Sequence, residues 1–260
     1  MLNKKIIVSV LATAAVLSFS GCAKNDAPPS TAASNVVNAA ENNKINDVKL
    51  APSEDAELAP NQFGTLCSEL TGTITFSLDK APENAGVDVS MDELGTVIAV
   101  IDGEDAVIYG RDGNGVKGSF AKWLFRRFKA KTIDLTGLDT SDAPNMEGMF
   151  QSCKSEKIIL SNVDTSNAKT MRAMFQNCCA TELDLSNFNT DNVTSMELMF
   201  ENCAVSKLDL SNFNMENVTD IKDMFYMCTV DSEITCRAES DKEVFMNPET
   251  KHKDLSFVVK

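Results

Sequence analysis

Four cysteines, Cys153, Cys178, Cys203 and Cys228, recur at intervals of 25 residues. Thiols in a row could ligate a soft metal, pair as disulfides, or pack as small apolar groups. No C-x-x-C, H-x-x-x-H or calcium-loop spacing accompanies them, so the metal reading has no second ligand set. Side chains stacked in register run parallel and do not converge, which opposes bridging even at the ~4.8 Å spacing of neighbouring strands. The expectation is a column of buried free thiols. The single histidine, His252, lies in a charged tail, so a hydrolytic triad is not expected. Gly113 to Gly118 matches G-x-G-x-x-G, with Asp134 on the next strand-like run. Asp134, however, belongs to a column with Asp184 and Asp209, where no glycine loop precedes, so the glycines read as a turn. The chain is expected to be neither an enzyme nor a cofactor carrier.

The thiols are positioned by a longer repeat. Phe150, Phe175, Phe200 and Phe225 recur at the same interval, each in a phrase such as M-E-G-M-F-Q-S-C or M-E-L-M-F-E-N-C. A second phrase precedes each, with inward pairs Ile133/Leu135, Ile158/Leu160, Leu183/Leu185 and Leu208/Leu210 alternating with polar residues. A fixed period of this length marks units that bury their apolar side only against the next unit. The first phrase predicts a short parallel strand. The second has helical spacing, with Asn145, Thr170, Ser195 and Asp220 as N-cap types. Asn162, Asn187 and Asn212 are expected to hydrogen-bond backbone at the turn after each strand. The methionines read as core.

The flanks divide by composition. Residues 1–22 read as a lipoprotein signal: Lys4 and Lys5, then an apolar stretch from Ile6 to Phe19, then Ser-Gly-Cys. The stretch is short for a membrane span, and Cys22 is the lipidation candidate. Residues 23–62, without aromatic side chains in their Ala, Asn, Pro and acid-rich part, are expected to be a disordered tether. Residues 63–131 are read as a β-rich segment, with strands near 73–78, 96–101 and 106–109. This segment ends in a capping helix from Ser119 to Lys129, with Phe120, Trp123, Leu124 and Phe128 on its apolar face. Four regular units span 132–230, and 231–260 forms a C-terminal cap.

The phrase L-D-L-S-N-F-N-T-x-N-V-T-x-M-x-x-M-F-x-x-C resembles the 25-residue repeat of BspA-like leucine-rich-repeat surface proteins, found in host-associated bacteria and mycoplasmas. The resemblance covers about residues 130 to 230, with departures at Gly137, Pro144, Ile159 and Lys169. It implies surface anchoring and a role in adhesion or protein binding. The expected fold is thus α/β, a leucine-rich-repeat solenoid of strand–helix coils between a small β-rich N-terminal cap and a short C-terminal cap.

Two rows would face a partner. One is Asp134, Ile159, Asp184 and Asp209; the other is Thr132, Lys157, Glu182 and Lys207, where alternating charge favours register. From Ala130 to Cys228 there are 15 acidic and 7 basic residues, whereas Arg111 to Ala130 holds six basic and one acidic. With a net charge of −14, nucleic acid is not an expected partner. The expected function is a lipid-anchored protein of the bacterial cell envelope, on the cell membrane or outer membrane. It would bind a protein on a host or neighbouring bacterial surface, the alternative being a passive spacer. The basic cap is expected to face an acidic element, such as the tether.

Overall fold

A computed structural model describes residues 56–83, 85–91, 95–111 and 113–260. The signal segment, Cys22 and the tether up to residue 55 lie outside the described residues. In chain order the elements begin with α1 (Pro60–Cys67), β1 (Thr73–Ser77), β2 (Val87–Asp88), β3 (Val97–Asp102), β4 (Asp105–Gly110), β5 (Val116–Lys117), β6 (Thr132–Asp134) and β7 (Leu138–Asp139). They continue with β8 (Lys157–Ile159), β9 (Ala204–Val205), β10 (Asp209–Leu210), β11 (Thr229–Val230), β12 (Ile234–Cys236), α2 (Glu239–Phe245) and β13 (Phe257–Val259). Pro60 starts α1, where its missing N–H costs no helical bond. Ordered structure therefore begins before Phe63: Leu58 is already buried, and Glu57 bridges to Lys117.

Alternation makes the sheet. Ile74 and Phe76 of β1 are buried between half-buried threonines and Ser77, as a strand with one core face requires. β3 and β4 form an antiparallel hairpin that turns at Gly103 (φ 60°). β1 then pairs parallel with both β4 and β6, so the N-terminal segment is continuous with the first repeat. The result is a six-stranded mixed sheet in the order β2-β3-β4-β1-β6-β8. Past β8 the ladder continues as single bridges, Lys157 to Glu182 and Glu182 to Lys207, and resumes as a three-stranded parallel sheet in the order β10-β12-β13.

The expected leucine-rich-repeat solenoid of strand–helix coils does not form. The two α-helices among the described residues, α1 and α2, both lie outside the repeats, and the sheets mix parallel and antiparallel strands. The Met-x-x-Met-Phe-x-x-Cys phrases are chains of turns. Met149, Gln151 and Cys153 donate their N–H to the carbonyl three residues back, while Met146, Gly148, Phe150 and Ser152 donate to Thr170, Arg172, Met174 and Gln176 in the next repeat. Two residues per repeat are left-handed, Gly148 (φ 59°) and Ser152 (φ 56°) here, Ala173 and Asn177 in the next, Leu198 and Asn202 after that. A left-handed residue at each end of the phrase turns alternate N–H groups outward, which no α-helix allows. The capping helix from Ser119 to Lys129 fails likewise, with Trp123 (φ 60°) and Arg127 (φ 63°) in the same columns. For the same reason Asn145, Thr170, Ser195 and Asp220 cap turns, each side chain accepting the N–H two residues on.

Each 25-residue unit is thus a layer, bonded to the next through both its strand and its turns. Phe125, Phe150, Phe175, Phe200 and Phe225 stack through the layers with ring centroids 5.3 to 5.9 Å apart and planes within 6°. At the N-terminal end Phe63 of α1 packs on Phe125 and Phe128. At the other end Phe245 and Phe257 pack on Phe225, and Glu249 and Thr250 accept the N–H groups of Asp223 and Phe225.

Candidate functional site

The strand face carries the rows singled out by sequence. Lys157, Glu182 and Lys207 are exposed neighbours, but no ion pair closes between their side chains among the described residues. In the other row Asp134 and Ile159 are half-buried, Asp184 is exposed and Asp209 is half-buried. Each aspartate is tied to its own turn. Asp134 accepts the Thr136 N–H at 3.0 Å, Asp184 the Ser186 N–H at 3.1 Å and Asp209 the Ser211 N–H at 2.9 Å. The Ser186 hydrogen bonds hold the Asp184 carboxyl below its ordinary range despite the Asp209 charge beside it. Burial pushes Asp209 up, but its bonds to Ser211 and the nearby Lys260 and Lys207 charges leave it lowered. The row therefore has a structural reason as well as a surface position.

A second face, not recognised in the sequence, runs along the turns. Lys122, Glu147, Arg172, Glu197 and Lys222 form a column of alternating charge. Lys122 Nζ lies 2.9 Å from Glu147, Arg172 Nη1 lies 3.6 Å from Glu147, and Arg172 Nε lies 2.7 Å from Glu197. Beside it, Gln151 donates to Gln176 and Gln176 to Glu201, and Asn202 donates to Asn177 at 2.7 Å. The signal was in the letters K, E, R, E and K at 25-residue spacing, but helical geometry would have placed them differently.

The expectation that the basic cap faces a separate acidic element is also corrected in part. Lys117, Lys122 and Lys131 pair with Asp142, Glu147 and Glu156, each 25 residues on, and Lys129 pairs with Glu69. Two of the six basic residues between Arg111 and Ala130, Lys117 and Lys122, thus neutralise the next layer. Arg126 and Arg127 are exposed without a carboxylate partner among the described residues. Between them and the start of the turn, Phe120 is 55% and Trp123 46% exposed, whereas Leu124, Phe125 and Phe128 are buried. Lys122 and Arg126 lie over the Trp123 ring at 4.4 and 5.3 Å.

Among the described residues the free thiols and the histidine form no reactive arrangement. Cys153, Cys178, Cys203 and Cys228 are buried free thiols, as are Cys67 and Cys236. Burial pushes Cys67, Cys178 and Cys228 up to about 12, so none supplies thiolate at neutral pH. Among the described residues no cluster of three His, Cys, Asp or Glu could hold a metal. His252 Nδ1 lies 3.1 Å from Thr250 Oγ1, and the ring packs edge-on to Phe257. The glycine motif is packing: a side chain on Gly115 would meet the Gly137 carbonyl at 2.7 Å, and no helix follows it to receive a phosphate. At the C-terminal end an open cleft of about 690 Å³ is lined by Tyr226, Met227, Val230, Lys251, Lys253 and Leu255, among others. No helix among the described residues is long and apolar enough to cross a membrane.

No curated protein and no solved structure matches the chain. Residues 120–235, the layered part from its first turn into β12, match the model of a family described as Mycoplasma protein of unknown function, DUF285.

Proposed function

We propose that this is a lipid-anchored protein of the bacterial cell surface whose layered stack binds a protein partner. The observation that carries the reading is repetition: one set of outward side chains is presented once per layer, giving the rows Lys157, Glu182, Lys207 and Asp134, Asp184, Asp209. Rows of this kind suit a partner with side chains at matching intervals. The excess of acidic over basic residues in the stack favours a cationic partner surface. The export signal ending at Cys22 and the resemblance to BspA-like surface repeat proteins support display outside the cell, on a host-facing or neighbour-facing surface. An enzyme is the weaker reading, because its only histidine packs in the C-terminal cap.

A passive spacer is the second reading, favoured by the way the turn-face polar side chains pair with one another from layer to layer. Capture from intact bacterial and host cell surfaces separates the two. The binding reading expects a retained partner whose capture weakens at low salt when Asp184→Asn and Asp209→Asn are combined. Capture that is absent, or unchanged by the pair, removes the strand face from consideration. The anchor is read separately: Cys22→Ser should move the protein from the membrane to the soluble fraction.

A further inference from the structure

The N-terminal end of the stack brings four features together. First, its two arginines, Arg126 and Arg127, have no carboxylate partner among the described residues, Arg126 lying over the Trp123 ring. Lys117, Lys122, Lys129 and Lys131, by contrast, each have a carboxylate within 4 Å. Second, two large aromatic side chains, Phe120 and Trp123, stand half in solvent beside them. Third, Trp123 holds a left-handed backbone (φ 60°) in the column of Gly148, Ala173, Leu198 and Asp223, so the largest side chain of that column stands at this end. Fourth, the chain leading back toward Cys22 enters at this end: the Glu57 carboxylate accepts the Ser119 N–H at 3.0 Å and the Ser119 hydroxyl at 2.9 Å.

We infer that this end, presenting Phe120, Trp123, Arg126 and Arg127, docks on the anionic headgroup surface of a phospholipid bilayer. Aromatic rings with an apolar body and a polar edge favour the headgroup level, and unpaired guanidinium groups are attracted by anionic lipid. A nucleic acid fits less well, because the chain carries a net charge of −14. Acidic groups away from the contact are screened over a Debye length of about 10 Å. Docking would set the stack with its C-terminal cap outward. The inference rests on the lipid-anchored reading only for how the chain reaches the bilayer.

Trp123 is the only tryptophan, so its fluorescence reports this end alone. The exported protein is reconstituted into vesicles if it carries lipid, or mixed with them if it does not. Vesicles of phosphatidylcholine alone are compared with vesicles that also contain phosphatidylglycerol. The expected result is a blue shift of Trp123 emission and quenching by brominated acyl chains on the anionic vesicles, both lost at high salt. Arg126→Gln with Arg127→Asn should abolish both; asparagine already occupies that left-handed column at Asn177 and Asn202. Emission that stays unshifted and unquenched on anionic vesicles overturns the docking. A shift that depends on protein concentration without lipid also overturns it, assigning the end to contact between copies. The mass of the N-terminal peptide reports lipidation independently, so loss of the anchor reading and loss of the docking are distinguishable.

Discussion

At the scale of single residues, the phenylalanine column does most of the packing. Phe200 is fully buried between Phe175 and Phe225 at 5.8 and 5.9 Å. Phe200→Ala should cost about 3–5 kcal/mol, read as a lower urea midpoint with unchanged slope; a wild-type midpoint would mean that neighbouring layers collapse into the gap. Thiol reactivity gives a second residue-scale expectation. Burial drives the Cys203 thiol well above its ordinary value and raises Cys153 as well. Cys67, Cys153, Cys178, Cys203, Cys228 and Cys236 should therefore resist alkylation at neutral pH and react only on denaturation. Labelling of two or more of them in the native protein would contradict their placement. Two departures from the repeat also find their cause at this scale. In later layers Lys169, Thr194 and Thr219 each donate an N–H to the layer before, and Pro144, with no N–H, stands in the first layer of that column. Gly137 takes the asparagine column where a side chain would meet the Phe76 carbonyl at 2.6 Å.

At the scale of elements, layers are held by repeated side-chain bonds to backbone. Asn187 Nδ2 donates to the carbonyls of Leu160 and Val163, and Asn212 Nδ2 to those of Leu185 and Phe188. Thr165 and Thr190 hydroxyls donate to the carbonyls of Asn189 and Asn214. These bonds satisfy backbone groups that short strands leave over. Asn187→Ala should cost about 1–3 kcal/mol through the carbonyls it leaves unpaired, measured by thermal melting, while Asn217→Ala, on an exposed turn, should cost less. Equal losses would mean that the column contributes through turn formation alone. The asparagine column and the inward strand pairs were legible in the sequence. The helices of the repeat were not, because Met146, Met149, Phe150 and Cys153 share a face both in a helix and in linked turns.

At the scale of the whole molecule, the ends decide whether the stack is closed. The last layer has Met215 where earlier layers have a threonine, and Asp241 of α2 accepts the Met215 N–H at 3.1 Å. Asp241 is buried, held by Arg237 Nε at 2.7 Å. Arg237→Ala leaves that carboxylate uncompensated; since the arginine is partly exposed, the loss should fall at the lower end of about 3–5 kcal/mol. Arg237→Ala with Asp241→Asn should recover part of it, and a double variant no better than the single would refute the pairing as the cause. The acidic strand face sets a pH dependence. Asp184 and Asp209 have lowered folded-state values, so their contribution is present above the unfolded carboxylate value, about 3.9, and is lost as pH falls through the folded values. Replacing both with Asn should flatten the acid limb of the stability profile and lower stability slightly at neutral pH, the two profiles converging at acid pH. A steeper acid limb in the variant would reverse the sign of this account.

The sequence by itself determined the 25-residue period, the residues of the core column, the inward strand pairs and the free thiols. It did so because burial depends on side-chain type and spacing, and both repeat. Only the tertiary structure decided where the backbone N–H groups go. Spacing records which side chains share a face, and the same spacing serves a helix bonded within itself or turns bonded to the next layer. It also decided the fate of the charges, since the lysines at 117, 122 and 131 meet their carboxylates 25 residues away only once layers stack. The exposure of Phe120 and Trp123 has the same origin: they stand in columns that the next layer fills with Asn145 and Gly148, outside the apolar columns of the core.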